Sequence, residues 1–352
     1  MDLLKRAVLI LLIFFAAMPL SAQESEEGNG FQPGPFIMNH IGDAYEWHIT
    51  TINDTHISVP LPCILYSEKS GFHFFSSSNF HHGHAEYEGF RISESEQYKG
   101  KIVEMINGEE VRPWDFSITK NVFAMLFSMV LLCIIFIGMA RNYRKNVGKA
   151  PHGFYNLIEP LVLFIRDDIA IASIGKKHAD RYMPFLMTVF FFIFINNLLG
   201  LIPIFPGGAN LTGNIAITCV LACFVFLITT FSGKREYWQD IFWPKTVPLW
   251  LKVPPIIPAV ELAGMFIKPV VLMVRLFANI TAGHIIALSF YSLIFLFGSY
   301  AVGAGALVFT IFMSCLELLV AFIQAYVFTL LSAIYFGMAV AEEHEPEKVP
   351  AA

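Results

Sequence analysis

PPIIPAVELAGMFIKPVVLMVRLFANITAGHIIALSFYSLIFLFG, residues Pro254–Gly298, is the stretch on which the fold turns. At about 1.5 Å per residue, an unbroken helix of this length is about twice as long as the roughly 30 Å hydrocarbon core of a bilayer is deep. It must therefore tilt steeply, kink or run partly along the membrane. Arg275 lies near its middle, some twenty residues or roughly 30 Å from either end, beyond the reach of a snorkelling side chain. An arginine at that depth costs at least about 2.5–3.5 kcal/mol, so a functional reason for it is the default.

Glu261, Lys268 and Arg275 follow one another at intervals of seven. Each step advances a helix by only about −20°, which makes them one polar stripe. Asn279 joins the stripe a turn later. The plainer reading is a salt-bridged stripe inside a helix bundle. Against it, Glu261 and Arg275 lie about 20 Å apart along the axis and cannot neutralise each other. The stripe needs either a water-filled cavity or a charged partner on another chain.

Working outward, composition agrees. Hydrophobic residues make up 56%, charged residues 14%, and phenylalanine alone fills 35 positions. A soluble domain carries nearer 25% charged residues, so the class is a polytopic membrane protein. No basic patch points to nucleic acid. Residues 1–22 read as a signal peptide: Lys5 and Arg6 precede an apolar run from Ala7 to Ala17, and Ser21-Ala22 offers a small-residue cleavage site. An uncleaved anchor is the alternative.

Residues 23–117 form a polar stretch with 15 acidic and 5 basic residues. Strands are expected over Tyr45–Ile52 and Gly71–Phe75, punctuated by Pro60, Pro62 and the Ser76–Asn79 run. The reading is a small β-rich extracytoplasmic domain. It holds seven of the eleven histidines, including His81, His82 and His84, but no carboxylate or cysteine stands at a spacing that would decide for a metal, and none is assigned. Cys63 is its single cysteine, so it has no internal disulfide.

The membrane part, 118–345, begins with a span over Asn121–Ala140, followed at once by Arg141, Arg144, Lys145 and Lys149. The positive-inside rule makes that end cytoplasmic and the polar domain external, in agreement with the signal peptide. Pro151–Tyr182 reads as an interfacial helix. Met183–Ile202 crosses outward carrying Asn196 and Asn197, and Asn214–Phe231 crosses back to Lys234 and Arg235. Glu236–Val253 then leads along the interface into the long helix. After a turn expected at Gly298–Gly305, the last helix runs from about Ala306 to Ala341, with Glu317 and Gln324 on one face and Tyr335 close to it. Residues 346–352 are a cytoplasmic tail. The fold class is thus an all-α polytopic membrane protein with five transmembrane passes, including a long tilted C-terminal helical hairpin, plus the β-rich N-terminal domain. No GxxxxGKS/T, HExxH or GxSxG pattern is present, so an enzyme active site and a cofactor are not expected.

The chain resembles subunit a of the F-type ATP synthases, the proton-conducting stator of the membrane Fo sector. The resemblance rests on Lys268-Pro269, Arg275-Leu276-Phe277-Ala278-Asn279, Ala282-Gly283-His284, Asn210–Thr218, Leu319–Phe328 and Glu342-Glu343-His344. It covers roughly 120–345 and leaves the N-terminal domain outside. It implies that Arg275 faces the carboxylates of a rotating c-ring, with Asn279 and Gln324 as polar neighbours and Glu261 lining a cytoplasmic half-channel. His284 and Glu317 stand at two positions that many bacterial members fill with Glu and His, exchanged here in the manner of mitochondrial members. Asn214, Lys268 and Tyr335 are further pathway-lining candidates. The resemblance also implies a c-ring, peripheral-stalk b subunits and lipid as partners, one copy per heteromultimer, and a bacterial cell (inner) membrane. Proton coupling is expected, with Na⁺ as the alternative ion. A secondary ion-coupled transporter is the rival class; it predicts helices with unwound centres and an internal repeat. A metal-binding role for the histidine-rich domain is a third reading.

Overall fold

The structure, a computed structural model, describes residues 33–52, 55–83, 85–95, 97–106, 108–145, 153–202, 205–243, 256–297 and 300–341. The signal peptide at 1–22, the tail at 346–352, His84 and the end of the interfacial stretch at 244–253 lie outside these. The chain divides into two compact units. The described residues up to Phe127 form the first, with Leu199–Asn210 and His284–Ser314; Ser128–Leu198, Leu211–Gly283 and the residues from Cys315 form the second.

In the first unit, helix α1 (Pro33–Ile41) precedes β1 (Glu46–Ile52), β2 (Thr55–Pro60), β3 (Pro62–Ser67), β4 (Gly71–Ser76), a 3₁₀ segment (Ser77–Gly83), β5 (Phe90–Ile92), β6 (Ile102–Ile106), β7 (Glu109–Val111) and β8 (Trp114–Asp115). They pair antiparallel as β1–β2, β4–β3–β8 and β5–β6–β7. The expected strands are β1 and β4. The others were hidden by prolines at their ends or are too short to show a period of two. Between Pro60 and Pro62, neither of which has an N–H to give, Leu61 and Ser77 tie the break: Leu61 N–H donates to Ser77 Oγ and Ser77 N–H to Leu61 O, both at 2.9 Å.

Alternation then builds the core. Cys63 and Leu65 point inward from β3 and join Tyr45, Phe75, Phe80, Phe90 and Ile102. Phe75 meets Phe80 and Tyr87 edge-on at 5.4 and 5.1 Å, the preferred aromatic geometry. Burial, and then the nearby Asp115 carboxylate, push the Cys63 thiol up to about 12. The Tyr45 hydroxyl hydrogen-bonds Asp115, and burial together with that bond raises the phenol well above its ordinary range. His73 pairs with Glu88 at 2.7 Å and His82 with Glu46 at 2.9 Å. Among the described residues no group of three or more His, Cys, Asp or Glu side chains is placed to hold a metal.

The strands are tied directly to the first long helix, α2 (Lys120–Lys145). Asp43 Oδ1 accepts the Asn121 N–H at 3.1 Å, and Lys120 N–H donates to Ala44 O at 2.9 Å. These satisfy donors that a helix start leaves without intrahelical partners. Trp47 packs edge-on against Phe123 and Phe205, at 5.7 and 5.3 Å, beside Ala124 and Ala209.

In the second unit, α2 is followed by α3 (Tyr155–Phe164), a π-helical turn (Ile165–Ile171), α4 (Ala172–Ile174), α5 (Ala179–Leu201), α6 (Ile215–Ser232), α7 (Arg235–Phe242), α8 (Ile256–Phe297) and α9 (Tyr300–Val340); α2, α5, α8 and α9 also give residues to the first unit. Among the described residues, five helices are long and apolar enough to cross a membrane: α2, α5, α6 and most of α8 and α9. The expected turn at Gly298–Gly305 is shorter than the glycines suggested, since α9 is already helical at Tyr300. In lipid the backbone has no water to bond, so isolated glycines do not end a helix there. Aromatic pairs join the helices: Phe136 on Phe191, Phe190 on Phe322, and Tyr182 stacked on Phe336. A side chain at Gly337 would collide with the Ser173 carbonyl, so only glycine lets α9 pass α4 this closely.

Glu110 generates a pH dependence in the β5–β6–β7 sheet. Ser95 and Ser93 each donate to it at 2.7 Å and Arg91 at 2.6 Å. These bonds, the serines first, lower its carboxyl from 4.5 to about 2. The stabilisation is full above the ordinary carboxylate value and is lost as pH falls toward the depressed one. Hydrogen-exchange protection factors of the sheet amides should therefore decline from pH 4.5 to about 2 in the native chain and be flatter in Glu110→Gln.

Candidate functional site

Helix α8 continues through Pro269, whose missing N–H leaves the Met265 carbonyl without its helical donor. Met265, Leu272, Leu276 and Ile280 are buried, spaced by seven, four and four, and form its inward stripe. Val271, Val274, Arg275, Ala278, Asn279 and Ala282 lie exposed on the other side. Arg275 thus stands on the face turned away from the packed helices of its own unit. Among the described residues no carboxylate lies within ion-pairing distance of it.

Asn279, one turn on, reaches from this outer face to α9: its Nδ2 donates to Gln324 Oε1 at 2.8 Å. Gln324 is buried, and its Nε2 has no hydrogen-bond partner among the described residues. A neighbouring link runs from α5. Asn197 Nδ2 donates to Ala321 O at 3.2 Å, and its Oδ1 accepts from Thr212 Oγ at 2.6 Å. Ala321 lies three residues before Gln324, so this bond fixes the turn of α9 from which Gln324 projects. The Asn196-Asn197 pair was visible in the sequence, but which of the two bridges and which bonds its own helix (Asn196, to Phe192 O at 2.7 Å) depends on the face each presents.

The polar stripe is less uniform than its spacing implied. Glu261 and Arg275 are exposed, whereas Lys268 is half-buried with its Nζ 5.8 Å from the centre of the Tyr335 ring, a cation–π distance. Lys268, Tyr335, Tyr237 and Thr229 help line a cavity of about 20 Å³, room for a water molecule. Tyr237, on α7, was not foreseen: burial first and then the Glu261 carboxylate raise its phenol above the ordinary value. Its place near Glu261, on a different helix, is one that sequence spacing does not encode.

Gly283 and Glu317 come together between α8 and α9. A Cβ at Gly283 would lie 3.1 Å from Glu317 Oε1, so the carboxylate rests against nearly bare backbone. His284 is placed by Gly200, at which a Cβ would stand 3.7 Å from the imidazole Nε2. Asn214 serves as the N-cap of α6, its Oδ1 accepting the Ala216 N–H at 3.0 Å.

The family model described as the ATP synthase A chain matches residues 122–337. The chain belongs to the ATP synthase A chain family. Relatives named ATP synthase subunit a share 45% identity over 240 residues in Chloroherpeton thalassium (66% of this chain, 70% of that one) and 44% over 236 residues in Myxococcus xanthus (65% and 75%). One named ATP synthase subunit a 2, from Chlorobaculum tepidum, is 43% identical over 251 residues (69% of each). Residues 36–116 match a separate family, a domain of unknown function (DUF8433). The A-chain match therefore covers α8 and nearly all of α9, and it excludes the β-rich strands.

Interhelical hydrogen bonds in membranes average about 0.6 kcal/mol and reach about 1.7. A double-mutant cycle of Asn279→Ala and Gln324→Ala in this A-chain family member, read by reversible unfolding in lipid, should give a coupling in that range. A coupling indistinguishable from zero would remove the bond.

Proposed function

We propose that this chain is the proton-translocating subunit of the membrane Fo sector of a rotary ATP synthase, itself non-catalytic, working against a c-ring and held by peripheral-stalk b subunits. Family membership supports the coarse assignment. The single observation that carries the finer reading is Arg275: a permanent cation on the outer face of a membrane helix, with no carboxylate of the chain's described residues beside it. Its natural counter-charge is an acid on a neighbouring subunit.

Two offset half-channels meet at Arg275 in this mechanism. Protons enter through the region of His284 and Glu317 and neutralise a rotor carboxylate, which can then turn through lipid. Near the end of the circuit the carboxylate reaches Arg275. Opposite charges about 4 Å apart attract by on the order of 4 kcal/mol at an effective dielectric near 20, so the ionised form is favoured and the proton is released past Glu261. A guanidinium does not give up its own proton, and Arg275 thereby blocks direct leakage between the half-channels. Asn279, bonded to the buried Gln324, holds the polar surface beside it. Lys268 and Tyr335 border the cavity, taken as the exit side; Asn214, the N-cap of α6, is a separate pathway-lining candidate. Each charge moved contributes about 2.3 kcal/mol per 100 mV. Na⁺ is the alternative ion, selected by the rotor's site. A transporter with unwound helix centres gains no support, because α8 is helical from Ile256 to Phe297 and α9 from Tyr300 to Val340.

Arg275→Ala should abolish ATP formation driven by a proton gradient in inverted vesicles while the protein still inserts, and Arg275→Lys should fail as well. Synthesis at the native rate in either variant would refute the assignment.

A further inference from the structure

The sheet β4–β3–β8 has one face on the core of the first unit, through Cys63, Leu65 and Phe75. Its other face is bare and aromatic. Tyr66 pairs with Phe72 on one side and with Trp114 on the other, which makes a row across all three strands. Ile64 pairs with Phe74, and Phe116 N–H donates to Ile64 O at 2.9 Å, which makes a second row. Exposure is 67% at Phe72, 69% at Phe74, 46% at Tyr66, 64% at Trp114 and 63% at Phe116. Neither row contains a charge. Charge begins only where the rows stop, with Glu68 and Lys69 in the β3–β4 turn and Arg112 ahead of β8. A soluble surface seldom leaves so many contiguous large aromatics uncovered.

The mount of this face indicates what covers it. Phe116 precedes the start of α2 at Lys120 by four residues, at most about 14 Å of extended chain. That connection is held along its length: Ile118 N–H donates to Pro62 O and Lys120 N–H to Ala44 O, at 3.0 and 2.9 Å, and Trp47 packs on Phe123 within α2. The aromatic rows are therefore carried rigidly, close to the point where a membrane-crossing helix begins. They are two residues, about 7 Å, apart along the strand. The interfacial layer of one leaflet is about 5–7 Å deep, and Trp and Tyr concentrate there because a ring with a polar atom suits its mixed polarity.

We infer that this face is a lipid-docking surface: Phe72, Phe74, Tyr66, Trp114 and Phe116 lie in the headgroup–acyl boundary of the leaflet that α2 enters. The strands then rest on the membrane as well as being tethered to it. This requires only that α2 crosses the bilayer and is independent of the proton path.

Photo-crosslinking in the full chain, assembled in its own membrane, tests it. Phe74 and Trp114 are replaced one at a time by p-benzoylphenylalanine, with Glu94, exposed elsewhere on the unit, as reference. Phospholipid adducts should form at 74 and 114 several-fold above 94. Adducts to a polypeptide, whether another subunit or a second copy, would overturn the proposal in favour of a protein interface. Adduct levels no higher than at 94 would overturn it in favour of a water-exposed face. Because both side chains are exposed the substitutions should leave the core intact, which continued protection of the buried Cys63 thiol from an impermeant maleimide would confirm.

Discussion

A guanidinium midway along a membrane-length apolar helix constrains nearly everything around it. It cannot shed its charge, it stands about twenty residues, roughly 30 Å, from either end of its helix, and no described carboxylate of its own chain stands beside it. The helix that carries it accordingly divides its surface in two. Leu272, Leu276 and Ile280 hold one side against the bundle, while Arg275 and Asn279 are left on the other among Val271, Val274 and Ala278. A charged group on an otherwise apolar outer face is costly for an isolated chain and economical for one that meets a mobile acid. On the function proposed above, the same asymmetry makes the encounter with a rotor carboxylate specific.

The supporting polar groups follow a second constraint. In lipid an unbonded polar atom has no water to fall back on, so the amides bond either within their own helix, as Asn196 does, or across a helix interface. Asn279 reaches Gln324, and Asn197 reaches both Thr212 and the Ala321 carbonyl. These bonds fix the rotation of α9 relative to α5 and α8, which aromatic packing alone would leave freer. The Gln324 Nε2 is buried and has no hydrogen-bond partner among the described residues.

Much of this was legible in the sequence because the membrane simplifies the reading. An arginine in a long apolar run, and acids and amides at intervals of seven, state both the helix and its polar face. What could not be read depended on chain reversals or on competition between neighbours. Tyr237 feels the Glu261 carboxylate from another helix, twenty-four residues earlier in the chain. Lys268 shares the spacing of Glu261 and Arg275 but leans to the Tyr335 ring, a contact set by a residue nearly seventy positions away. The glycines before Ala306 looked like a turn because glycine breaks helices in water; in oil the backbone's need for its own hydrogen bonds prevails, and α9 starts at Tyr300. The β-rich region was least legible, since strands of two or three residues have no periodicity to detect.

That region obeys the opposite rule from the helices. Its interior is closed by ordinary aromatic packing, with Cys63 and Tyr45 buried deeply enough to stay neutral, while its outward sheet face is aromatic and apolar. A domain that folded for solution alone would alternate apolar-in and polar-out along β3 and β4. Here Tyr66, Phe72 and Phe74 occupy the positions that should be polar. The departure lies in the sheet whose last strand leads toward α2, whereas the β5–β6–β7 sheet carries Glu104, Glu109 and Glu110 with Arg91. One unit therefore presents a charged side and an aromatic side, and the aromatic side is the one continuous with the chain's entry into lipid.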